Sequence, residues 1–143
     1  MKQSTLFLVP LLLFLFPSAP SAGTRGFKVI VNPESHVTSL TKKEVSRLFL
    51  KKVKTWDNDL QVIPVNLPVG SPARDRFAKE IHNKAPVAVK AYWQQRVFSG
   101  RDVPPVERKS DASVVAFVRA NPGAIGYVSE NTDVQGLTVL AIK

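Results

Sequence analysis

The chain has 143 residues, no cysteine and a formal net charge of +9. Without thiols there are no disulfides, no thiol catalysis, no thiolate metal sites and no lipidated cysteine to tether the chain. The charge points to an anionic partner such as nucleic acid, anionic lipid, anionic glycan or a small oxyanion, with solubility alone as the plain alternative.

The first 23 residues carry Lys2, an apolar run from Leu6 to Phe16 interrupted by Pro10, and the small-residue stretch "PSAPSAG". That is the layout of a secretory signal peptide, with cleavage after Ser21, Ala22 or Gly23. The run is shorter than the roughly 20 apolar residues a membrane span takes. Residues 1–23 are thus expected to be a signal peptide and 24–143 one domain of ordinary size. Export places the product in the periplasm without a membrane anchor, and it makes nucleic acid an unexpected partner.

"FKVIVN" (27–32) reads as a short β-branched strand. Thr41 and Glu44 form a capping box that opens a helix through Leu50, with Val45, Leu48 and Phe49 on its inner face. The basic loop "KKVKTWDNDL" follows, then a strand in "QVIPVN" (61–66). Gly70, Ser71 and Pro72 start a helix reaching about Lys84, with Phe77 and Ile81 on one side. Pro86 opens the next helix, in which Val89, Tyr92, Trp93 and Val97 share a stripe and which Gly100 closes. "RDVPPVERK" is a proline-broken loop. Ser110 caps a fourth helix carrying Val114, Phe117 and Val118, ended by Asn121, Pro122 and Gly123. "AIGYVS" (124–129) and "LTVLAI" (137–142) are the last strands. Strands alternating with helices make the fold class α/β, a sheet flanked by helices.

The second helix start raises a problem of charge. Arg76 has Glu80 four residues on, and Asp75 has Lys79, so both are explained as helix-surface pairs. Arg74 has only Ala78 at that spacing, and it sits in the first turn, where the helix dipole disfavours a cation. A bound anion or a carboxylate from elsewhere in the fold would answer it. A helix start also presents free N–H groups to anions.

Three stretches taken together, "LTKKEVSRLFLKKVKTWDNDLQVIPV" (40–65), "GSPARDRF" (70–77) and "NPGAIGYV" (121–128), resemble the phosphate-binding periplasmic proteins of ABC transporters. In that family a "GSGTRdxF" anion loop lies between counterparts of the other two. Order and rough spacing agree over nearly the whole mature chain, but for one lobe only of a two-lobed protein. The resemblance implies a single lobe of a type 2 periplasmic-binding-protein-like fold, a mixed sheet of about four to five strands flanked by about four helices. It also implies an anion site at Gly70, Ser71, Ala73 and Arg74. Within that loop Ser71 is retained, Pro72 replaces a glycine and its N–H, and Ala73 replaces a threonine. "NLPVG" holds no counterpart of the family's upstream arginine. Each lost ligand bond removes on the order of 1.5–3 kcal/mol, so weak binding of phosphate or another small oxyanion is expected. The implied partners are a membrane permease or sensor, or a second copy meeting the face that the other lobe would cover.

Other chemistry finds little support. His36 and His82 lie far apart with no HxxxH spacing, and they read as surface histidines without a metal. No GxSxG, Walker or Rossmann pattern occurs. Asp57 and Asp59 flank Asn58 as turn formers. Tyr92, Trp93 and Trp56 read as core, and "KKVK" (51–54) with Lys42 and Lys43 as a solvated face or a polyanion patch. No nucleophile–base pair can be assembled, so neither an enzyme nor a cofactor is expected.

Overall fold

The computed structural model describes residues 26–143; the segment read as a signal peptide lies outside them. Among the described residues, five strands form one mixed sheet in the order β4-β3-β5-β1-β6. They are β1 (Phe27–Val31), β3 (Ile63–Asn66), β4 (Val106–Glu107), β5 (Ala124–Ser129) and β6 (Thr138–Val139). β2 (Ser39–Leu40) and β7 (Ala141–Ile142) pair in parallel beside it. Four helices flank the sheet: α1 (Lys42–Phe49), α2 (Pro72–Glu80), α3 (Pro86–Phe98) and α4 (Asp111–Ala120). This is the α/β architecture expected from the alternation of strands and helices.

β5 is central. It runs antiparallel to β1 and parallel to β3, and its residues from Ala124 to Val128 are all buried. Successive residues of a strand face opposite sides, and Gly126 and Tyr127 show what each side holds. A Cβ at Gly126 would lie 2.8 Å from Val114 Cγ1 and 3.2 Å from Val118 Cγ2, so only glycine lets α4 come this close. On the other side, the Tyr127 ring stacks on Phe77 of α2 at 4.0 Å between centroids, with Phe49 of α1 at 5.7 Å. Helices therefore cover both faces.

Local chemistry fixes the ends of these elements. Glu44 N–H donates to Thr41 Oγ1 at 3.2 Å, and Thr41 N–H donates to Glu44 at 2.7 Å, closing the capping box that opens α1. Ser110 and Ser113 form the equivalent box for α4. Buried Asn32, just past β1, donates through Nδ2 to Val118 O at 2.9 Å and so caps the far end of α4. Trp56 is buried, and its Nε1 donates to Gly123 O at 2.9 Å, tying the basic loop to the turn before β5. Gly123 itself has φ +81°, and a Cβ there would fall on Gln61 O.

The structure departs from the sequence reading at several elements. α2 stops at Glu80 rather than near Lys84, because Ile81 caps it and Asn83 takes φ +51°. The proline-broken loop contains β4, an edge strand held by parallel pairing to β3. The last strand is two: β6 pairs with β1, and after Leu140 the chain crosses to pair β7 with β2. The stripe on α3 is only partly core. Trp93 is buried and Tyr92 half-buried, while Val97 is exposed.

Candidate functional site

Gly70 has φ +85° and nothing within 4 Å of its missing Cβ, so it supplies an open left-handed turn into α2. Ser71 follows in extended conformation as N-cap (φ −67°, ψ 137°), with Pro72 opening the helix. Its hydroxyl makes no capping bond: Ser71 Oγ is enclosed by the protein and meets no hydrogen-bond partner among the described residues. The first regular bond at this end is Asp75 N–H to Ser71 O at 3.1 Å. Pro72 has no N–H, and the N–H groups of Ala73 and Arg74 meet no acceptor among the described residues. Ala73 is buried in the core.

The Arg74 guanidinium has partners that no local spacing could reveal. Nη1 donates to Leu67 O at 2.7 Å and to Glu107 Oε2 at 2.8 Å. Glu107 lies on β4, whose register on β3 sets it opposite Asn66. The lone cation of the first turn is thus matched by a carboxylate from the sheet edge, one of the two answers the sequence left open. A guanidinium has five N–H donors, and among the described residues Nε and Nη2 are left without partners. Next to it, Tyr127 donates to Asn66 Oδ1 at 3.1 Å, and burial pushes its phenol pKa well up.

Beside this helix start runs a groove of about 670 Å³ between α2, α3 and the β3–β4 edge. Phe49, Phe77 and Trp93 line it, together with the exposed Val87, Val97 and Phe98 and with Arg74 and Glu107. Phe98 is 97% exposed and Val87 72% exposed. Isolated exposed apolar residues are ordinary, but several clustered round one groove are not.

His82, read from the sequence as a surface residue, is half-buried. Its Nδ1 lies 2.8 Å from Ser46 Oγ, and its ring stands edge-on to Phe77. Burial, then the charges of Lys84 and Lys52, lower its pKa to about 4. No sequence signal marked it, because its partner is 36 residues away. The basic loop divides: Lys51 and Lys54 face Asp102 at 3.9 and 2.9 Å, and Lys52 lies 5.9 Å from the Tyr92 ring centroid. The Arg76–Glu80 pair forms, whereas Asp75 and Lys79 form no ion pair. Among the described residues no group of three or more His, Asp or Glu is arranged to hold a metal ion, and no helix is long and apolar enough to cross a membrane.

No family model matches the sequence. Over 108 residues the chain is 28% identical to the phosphate-binding protein PstS of Bacillus subtilis (strain 168), a match covering 73% of this chain and 31% of that protein. Its fold is that of PstS from Borrelia burgdorferi, with TM-score 0.64 and 19% identity over 82% of this chain and 47% of the other. A candidate phosphate ABC transporter substrate-binding protein of Clostridium perfringens, solved with bound phosphate, gives TM-score 0.64 and 20% identity over 82% of this chain and 44% of that one. The likeness to phosphate ABC transporter substrate-binding proteins, first carried by three short stretches, thus extends through sequence and fold. The chain spans less than half the length of these relatives.

Proposed function

We propose that the chain is a solute-binding-like module of the phosphate-transport class, exported to the periplasm by residues 1–23 and folded as one domain over 24–143. It takes phosphate or another small oxyanion weakly at Gly70, Ser71, Ala73 and Arg74, without catalysis or cofactor. The observation that carries this reading is the pair of N–H groups, Ala73 and Arg74, left without acceptors among the described residues just after the Gly70 turn. The Arg74 guanidinium adds free donors at the same place. Weakness follows from the composition of the site. Pro72 contributes no donor, the Ser71 hydroxyl is enclosed, and the Glu107 carboxylate competes with any anion for Arg74. A membrane permease or sensor would be the partner that makes weak capture useful. Calorimetric titration with phosphate should give measurable heat with wild type and none with Arg74→Ala; equal heats would remove the arginine from the site.

A second reading rests on a different observation, the exposed apolar lining of Val87, Val97 and Phe98. Under it the chain is an interaction module that covers this groove with a second copy or another protein. Light scattering distinguishes the two: a strictly monomeric chain that binds phosphate fits the first alone.

A further inference from the structure

α1 and the far end of α2 enclose an open cleft of about 790 Å³. Five cationic side chains line it: Lys42, Lys43 and Arg47 from α1, Lys52 from the loop after it, and Lys84. None of the five has a carboxylate within 4 Å among the described residues. Glu80 is the one acid in the lining, and Arg76 already occupies it. The neighbouring Lys51 and Lys54 show the contrast, since both are turned to Asp102 on another side of the loop.

The arrangement runs against the ordinary preferences of helices. Lys42 and Lys43 are the first two residues of α1, the end at which the dipole favours acids. Like charges facing one space repel, and among the described residues no ion pair offsets that repulsion. The wall also offers Ser46 Oγ, held 2.8 Å from His82 Nδ1. The fields of Lys84 and Lys52 converge on that imidazole and help to keep it neutral.

We propose that this cleft is a second anion site and that its ligand is a linked phosphate polyanion. It lies at the other end of α2 from Ser71, about 13 Å away at 1.5 Å per residue, so it does not depend on the site proposed above. The cations come from three segments: α1, the loop after it and the residues just past α2. A phosphoanhydride chain carries several linked charges at close spacing and can engage more of them than a single orthophosphate. The five cations border an open cleft and are each exposed, so a soluble polyanion can reach them.

Tripolyphosphate and orthophosphate, titrated separately into the full chain, test the proposal. Tripolyphosphate should bind at least about tenfold more tightly and weaken as salt rises. Lys43→Gln/Lys84→Gln should weaken it about tenfold or more, while Lys28→Gln/Lys109→Gln, with the same net charge, should change it less than about twofold. Arg74→Ala should leave tripolyphosphate binding intact even where it abolishes the orthophosphate heat. Equal losses in the two lysine pairs would reduce the effect to net charge and overturn the proposal. So would an absence of tripolyphosphate heat, or binding to phosphatidylglycerol vesicles without binding to tripolyphosphate.

Discussion

Arg74 and Glu107, 33 residues apart in sequence, meet at 2.8 Å across the start of α2. The pair neutralises the one cation of the helix's first turn, and under the proposed anion reading the carboxylate is a competitor for that cation. Glu107 is about half exposed, so the pair itself is worth little to stability, roughly 0–1 kcal/mol.

Glu107→Gln should therefore cost little in stability and strengthen phosphate binding several-fold, on the order of 1 kcal/mol. Arg74→Ala should weaken it. Calorimetry on the two variants reads both signs. A Glu107→Gln protein that binds phosphate no better than wild type would show that the carboxylate does not compete.

His82 gives the protein an acid sensitivity of predictable sign. Its unfolded pKa is near 6.5 and its folded pKa about 4, so the neutral ring is the native form. Above pH 6.5 the contribution to stability is complete. Between pH 6.5 and about 4 only the unfolded chain takes up the proton, and stability falls by up to roughly 3 kcal/mol. Urea denaturation at pH 7.5 and pH 4.5 measures the drop, and His82→Gln should flatten it.

Two glycines should differ in their tolerance of alanine. Gly123→Ala demands φ +81° and places a methyl on the backbone oxygen of Gln61. The loss should reach about 3 kcal/mol or more, combining strain with overlap. Gly126→Ala meets only side-chain methyls of Val65 and Val114 at 2.8 Å, and these can shift, so about 1–3 kcal/mol is expected. Thermal melts rank the two.

Phe98→Ser should leave folding within about 0.5 kcal/mol of wild type, because the ring is almost wholly exposed. If the groove is an interface, the same change should reduce association in light scattering. Unchanged association would clear Phe98 of any such role.

The fold was legible where the signal is local. The Thr41–Glu44 box, the Pro72 and Pro86 helix starts and the β-branched stretch of β1 are written within a few residues each, and each forms. What stayed hidden depends on distance. β4 is two residues long and exists only because β3 pairs with it; the run from Leu137 to Ile142 looks continuous until β1 and β2 divide it. The site followed the same rule. The turn at Gly70 and the proline at the helix start could be read from the letters. The acid facing Arg74 could not, nor could the serine beside His82, because both come from other elements.

β1 lies between β5 and β6, so the first strand described finds its two neighbours near the opposite end of the chain. Such distant pairings make closure of the sheet slow and late. Until residues 124–139 are available, the opening strand has nothing to zip onto, and the nascent polypeptide stays open.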